Sequence, residues 1–439
     1  MLYSLRILVL LLCESRRRRQ ARNDMGKSLL LVAILVTIFA LPTAQAADWP
    51  QWRGPNGDGV SPETDWDPEA LRGSPTVLWT ADIGPGYSSV VIRDDRLYTA
   101  GRVEEGSAFQ CLNAFTGALI WSRSYDDYSQ PQSTPVIDGD RVYGLGADGM
   151  LFCLQKADGT IEWKKSLRKD FKAWRPRFYC ASSLVVEGDK LLVNANTAAL
   201  VLDKMSGDLK WRYDDTLPSD SFGSYTTPVA CDLDGARCAL FLGPSNLMAV
   251  DLSTGKLMWS YSHKDTTHPV ADPIVFGSRV FLSLTNSCAL LEMAAGGPRT
   301  LWSSSEFDTW LPSRVLVNGY LYGTHFPESF STTTWGGVQA GEFPFRCLEW
   351  DTGKVVWEKY MKYVSLIAAD GKLIMLELNG TLHIAEATAA GYQELSSADV
   401  LQGAKRPRTF ATPPVLCNGL LYCRNFAGDL VCIDVRAKK

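Results

Sequence analysis

TGALIW, residues Thr116 to Trp121, decides the fold because it returns. DGTIEW (158–163), SGDLKW (206–211), TGKLMW (254–259) and TGKVVW (352–357) repeat it, each with a glycine four residues ahead of a tryptophan. Two weaker copies end at Trp79 (SPTVLW) and Trp302 (GGPRTLW). Counted from Trp79, successive tryptophans lie 42, 42, 48, 48, 43 and 55 residues apart. A period in the forties, made of strands and lacking helical periodicity, marks a radial β array.

Working outward from the tryptophan, every period has the same grammar. A first strand follows a small residue or proline, as in SSVVI, STPVID, SSLVVEG, TTPVACD, ADPIVFG and SRVLVNG. Asp-Gly or Asn-Gly pairs such as Asp138-Gly139, Asn318-Gly319, Asp370-Gly371 and Asn418-Gly419 follow. Such pairs accept the positive φ of a two-residue hairpin turn. A second strand contains an apolar-aromatic pair, among them Leu97-Tyr98, Val142-Tyr143 and Leu421-Tyr422, and a third reads like FQCLNAF or LVCIDVR. The fourth carries the tryptophan. Four short strands per period make a propeller blade.

Third strands number eight, but only seven are followed by a fourth, because the chain ends just past Ile433 and Val435. The strand of Trp79, residues 76–83, has no three strands before it. The expected fold is therefore an all-β, eight-bladed propeller over residues 76–439, whose last blade is completed by that N-terminal strand. Closure removes an open edge that would template aggregation. The seventh blade has the most decayed fourth strand, GYQEL (391–395), without tryptophan.

Composition agrees: 46% apolar residues, 21% charged and a net charge of −4 describe an ordinary globular chain with no basic footprint for nucleic acid. Residues 1–46 read as a targeting segment. Ser28 to Leu41 is an apolar core behind Met25-Gly26-Lys27, and Ala44-Gln45-Ala46 is a cleavage site. Residues 1–24, with Arg16 to Arg19, read either as an upstream start ahead of a true initiator at Met25 or as part of a double membrane segment. After cleavage, residues 47–75 form an N-terminal strap packed by Trp49, Trp52 and Trp66. The expected location is periplasmic or extracellular, with no stable membrane span in the mature chain.

Eleven cysteines in an exported chain suggest disulfides. The repeat argues for packing instead: Cys111, Cys153, Cys347 and Cys432 share one third-strand slot that holds Ala249 in another blade, and a buried free thiol suits it. Cys231 and Cys238 face each other across the Asp234-Gly235 turn, and sequence leaves their pairing open.

These repeats resemble the PQQ-like (quinoprotein-type) β-propeller proteins over about residues 49–435. The opening DWPQWRGPNGDGVSPE (48–63) also resembles the N-terminal signature of a secreted bacterial subgroup. The resemblance implies that Trp79, Trp121, Trp163, Trp211, Trp259, Trp302 and Trp357 dock between neighbouring blades rather than bind a cofactor. The family holds both the non-catalytic assembly scaffold BamB and quinone-dependent alcohol dehydrogenases. The latter place their quinone against a vicinal disulfide ring, and no two cysteines here are adjacent. The BamB-like branch, without a cofactor, is the expectation; a PQQ-dependent oxidoreductase, or another enzyme with its site in the inter-blade loops, is the alternative.

Metal and catalytic motifs are thin. His263, Asp265, His268 and Asp272 share one connection and read as a solvated loop. Asn56, Asp58 and Glu63 lack the spacing of an EF-hand and belong to the strap. No GxSxG, HExxH or P-loop is present. The remaining signal is surface. Residues 164–180 (KKSLRKDFKAWRPRFYC), 324–344 and 395–410 are long connections expected on one face. The candidate binding residues are Trp174, Arg175, Arg177, Trp335 and Arg408, lining a cleft or channel mouth. Arginine forks and aromatic rings suit a partner with acidic or aromatic groups. The expected partner of this monomeric ring is a protein or polymer.

Overall fold

The computed structural model describes residues 48–216, 222–233, 235–263, 269–284, 287–294, 297–307, 314–326, 341–401 and 412–437. Within them there is no helix; eight sheets each supply one blade of four antiparallel strands. The first blade consists of Val91–Arg93, Arg96–Val103, Gly106–Asn113 and Leu119–Tyr125, ordered from the channel outward. Blades two to seven repeat this plan over 136–166, 185–214, 229–262, 274–304, 314–361 and 364–399. The eighth takes three strands from 415–434, and Thr76–Asp82 pairs antiparallel with Asp429–Asp434 as its outer strand. The ring is closed by the N-terminal strand, as the repeat count requires.

The repeated glycine and tryptophan meet, but not within one repeat. In the first blade Tyr98, Cys111 and Trp121 stand opposite one another across strands two, three and four. The rows Tyr143–Cys153–Trp163, Tyr322–Cys347–Trp357 and Tyr422–Cys432–Trp79 are equivalent. A small thiol fits between two large rings, and all four cysteines are fully buried. The indole then reaches the next blade. Trp79 donates its Nε1–H to Ala114 O, Trp121 to Lys156 O, Trp163 to Lys204 O and Trp302 to Trp350 O. There it covers that blade's turn glycine. A methyl group on Gly117 would lie 2.6 Å from Trp79, on Gly159 2.7 Å from Trp121, and on Gly353 2.6 Å from Trp302. These glycines sit at φ near +70°, which L side chains avoid. Each glycine is therefore the seat of the preceding blade's ring.

This rule accounts for the decayed strand of blade seven, which runs Glu394–Asp399 rather than 391–395. Blade eight has no turn between its third and outer strands, because those strands come from opposite ends of the chain. A tryptophan on blade seven would find no glycine seat. The strap covers that strand instead: Ser396 Oγ donates to Pro68 O and Arg72 Nε to Leu395 O.

Trp121 is 8% exposed. Trp121→Ala is expected to cost about 3–5 kcal/mol by urea denaturation, as for other large-to-small core changes. Gly159→Ala, in the neighbouring blade, should also destabilise. The double variant should fall short of the sum, because both changes act on one contact.

At the start of the inner strands, small hydroxyls link blade to blade. Thr134 Oγ1 accepts from Ser89 N (2.9 Å), Ser183 Oγ from Thr134 N (3.0 Å) and Thr227 Oγ1 from Ser183 N (3.2 Å). Asp272 Oδ1 continues the chain by accepting from Thr227 N at 2.6 Å. The residues before the inner strands of blades one to five thus carry a hydrogen-bond chain along the channel wall.

The strap plugs that channel. Trp49 exchanges both main-chain hydrogen bonds with Ile92 of blade one, and Pro50 O accepts from Ile137 N of blade two. Trp52 Nε1 donates to Asp272 Oδ2 (2.7 Å), while Arg53, buried, donates to Arg314 O (2.6 Å) and Asp58 O (2.8 Å). Burial pushes the Asp272 carboxyl up from its ordinary range, and the Arg53 charge opposes that shift. The chain then turns back. Val60–Ser61 pairs parallel with Ala368 and Ala369 of blade seven. Glu63 accepts from the amides of Asn418 and Gly419 in the blade-eight hairpin. Asp58 and Glu63 are thus occupied in tying the strap, and Asp272 in holding its tip.

Candidate docking face

Strand alternation puts the connections between blades, and the loops from second to third strands, at one end of the ring. The connection from blade two to blade three is the most elaborate of those described. Its apolar residues Leu167, Phe171, Ala173 and Cys180 are buried against blades two and three. Cys180 N donates to Ala147 O (3.0 Å) and Ala173 N to Leu167 O (2.9 Å). The loop is therefore anchored at both ends.

Between those anchors the side chains turn outward. Trp174 is 71% exposed, with Phe178 at 42% and Tyr179 at 37%. The Arg175 guanidinium lies 4.9 Å from the Tyr179 ring centre, and that of Arg177 lies 4.5 Å from Phe222. Such cation–π contacts hold planar cations in place. Neighbouring connections fix the backbone: Arg177 N donates to Phe222 O, Phe178 N to Tyr225 Oη, and Gln132 Nε2 to Phe178 O. Asn196 Nδ2 donates to Trp174 O. Burial pushes the Tyr225 hydroxyl up to about 12, so it stays protonated while it accepts from Phe178 N. Lys172 and Tyr179 both sit at positive φ (+56° and +71°), a conformation that non-glycine residues hold only when the surroundings enforce it. The product is a preorganised platform of rings and guanidinium groups on a basic loop.

Trp174, Arg175 and Arg177 are thus brought together on one exposed loop. Trp335 and Arg408, with most of the connections that carry them, lie outside the described residues, as do Asp265 and His268. Sequence reading missed Phe222 and Tyr225. Their signal was available: SFGSY occupies, after Trp211, the connection equivalent to the one that carries Trp174. Cys231 and Cys238 stand opposite each other with Sγ atoms 3.6 Å apart, as two buried thiols.

The family model described as outer membrane protein assembly factor BamB matches residues 70–164 and 105–359. The chain belongs to that family. A Yersinia pestis BamB is 29% identical over 265 residues, covering 56% of this chain and 63% of that relative. The alignment thus spans slightly less than two thirds of that protein's length. BamB of Escherichia coli K12 is 25% identical over 377 residues, covering 71% of this chain and 88% of its own. Among solved structures, BamB from Moraxella catarrhalis matches with a TM-score of 0.60 at 17% identity, covering 83% of this chain and 98% of that one. A quinohemoprotein alcohol dehydrogenase from Comamonas testosteroni matches with a TM-score of 0.65 at 12% identity, covering 90% and 81%. At such identities the structural likenesses show the propeller fold alone, which scaffold and enzyme share. No helix among the described residues is long and apolar enough to cross a membrane.

Proposed function

We propose that this protein is a periplasmic scaffold for outer-membrane protein assembly, docking a protein partner on its inter-blade face. The observation that carries the reading is the exposed cluster of Trp174, Tyr179, Arg175 and Arg177 on an anchored loop, with both guanidinium groups held over rings. Aromatic and arginine side chains held rigidly on a surface are the usual anchors of protein interfaces, because little conformational entropy is lost when they bind. The names of the BamB relatives supply the process. Export follows from the apolar segment 28–41 and the cleavage site after Ala46. The basic loop favours a partner surface with acidic groups.

The test is genetic and biochemical in the native host. Deleting the gene should lower the amount of folded β-barrel protein in the outer membrane. A chromosomal Trp174→Ala/Arg175→Ala variant should lower it similarly while its own abundance and melting temperature stay unchanged. Unaltered outer-membrane proteins in the deletion strain would overturn the assembly role. A deletion phenotype absent from the double variant would overturn the docking face.

A further inference from the structure

In each blade the inner strand turns some of its main-chain N–H and C=O groups away from its own sheet and into the channel. Ile92, which faces Leu97 one step before the hairpin turn, shows this directly, since both groups bond to Trp49 of the strap. Ile137 and Ala368 occupy equivalent places and donate to Pro50 O and Gly59 O. The strap thus reads the same backbone positions repeatedly, by strand addition.

It does not reach all of them. Val186 of blade three faces Leu191 in the register that Ile92 has with Leu97. Ala230 of blade four, opposite Ala239, has the same orientation. Among the described residues neither Val186 nor Ala230 has a main-chain hydrogen bond outside its own sheet. Here the strap stands back, and a crevice of about 320 Å³ separates it from the two strands. That volume falls at the lower end of the ~300–1,000 Å³ typical of ligand sites. Gln51 and Asn56 line the strap side, and Thr227 and Val186 the strand side. The charges at the hairpin end are already paired, since Arg237 holds Glu187 through two bonds of 2.9 and 2.8 Å.

We propose that this crevice binds an extended peptide of a partner protein, which adds to the inner edge of blade three as the strap adds to blades one, two and seven. The occupant is defined by the walls. A free backbone edge recognises an extended main chain. Amide and hydroxyl side chains beside a satisfied ion pair favour small or uncharged polar residues over charged ones. The site is built from the channel, not from the Trp174 loop, and does not depend on the docking face.

The probe is the blocked pentapeptide acetyl-Ser-Thr-Val-Thr-Asn-amide, about 17 Å long at ~3.3 Å per residue. Added to the full mature chain, it should bind with a Kd on the order of 1 mM and slow hydrogen exchange at the Val186 amide. The same peptide N-methylated at alternate amides should bind at least about tenfold more weakly. Asn56→Trp, at an exposed strap position, should fill the crevice and abolish binding. Val186→Pro removes the channel-facing N–H without touching a ladder bond and should do the same. Trp174→Ala should bind the peptide normally. The proposal is overturned if Val186 exchange is unchanged at saturating peptide. Equal binding of the N-methylated peptide, or undiminished binding by Asn56→Trp, would overturn it as well.

Discussion

Replacing Arg424 by alanine is expected to cost roughly 3–5 kcal/mol, because several buried acceptors lose one charged donor together. Arg424 ends the second strand of blade eight and is 2% exposed. It crosses to blade one and its lead-in, donating to Thr99 Oγ1 (3.0 Å), Ala100 O (3.1 Å), Gly84 O and Gly86 O (both 3.2 Å), and Ser88 O. Among the described residues no carboxylate accompanies it. Burial pushes the guanidinium down to about 9, so it remains charged at neutral pH, held by carbonyl oxygens. In the alanine variant these acceptors lose their donor inside the seam, each at a desolvation cost of about 1–3 kcal/mol where water does not replace it. Urea denaturation should show a lower midpoint with an unchanged slope. Arg424→Lys should recover only part of the loss, because one ammonium with three donors does not span five acceptors. A midpoint within experimental error of the unsubstituted protein would show that the seam is held by apolar packing alone.

A still larger effect is expected from a mature chain shortened to begin at Ile83. Three consequences coincide. The strand Asp429–Asp434 loses its antiparallel partner, Gly117 loses the Trp79 ring, and the channel loses its plug. An uncovered six-residue edge is a template for pairing with another chain. The shortened protein should elute as aggregate in size-exclusion chromatography, where the intact one elutes as a single species. A synthetic peptide covering residues 74–84, present during refolding, should restore part of the soluble species by supplying the missing strand. A monodisperse shortened protein with an unshifted melting temperature would show that blade eight is stable with three strands.

The blade count and the closing strand were legible because both rest on a repeat. TGALIW and its copies fix where each outer strand ends, and unequal numbers of third and fourth strands force the chain ends together. What stayed illegible depends on contacts between repeats. The glycine of each motif looks like a turn residue of its own strand; its seat for the previous ring appears only when neighbouring blades stand side by side. Arg424 gave no sign, because a buried arginine satisfied by carbonyls has no sequence partner to match. The strap's three tryptophans are conspicuous in sequence, yet Trp52 meets Asp272 across 220 positions. Trp174, Arg175 and Arg177 were visible as an aromatic, basic stretch. Their companions Phe222 and Tyr225 come from the next connection and join them only in the folded ring.

Ring closure also sets an order in time. The strand Thr76–Asp82 is made early, and its partner Asp429–Asp434 lies about 350 residues later in the chain. In a chain that emerges N-terminus first, the first strand must wait for the second. Blades one to seven can assemble in sequence meanwhile, the turns at Gly159, Gly207, Gly255 and Gly353 each receiving the indole of the blade before. The N-terminal strand has no such neighbour, and Gly117 stays bare until the last strand arrives. Closure is therefore a late, long-range step, slow by the ordinary relation between contact separation and folding rate. The interval before it is when a chaperone would find an unpaired strand to hold.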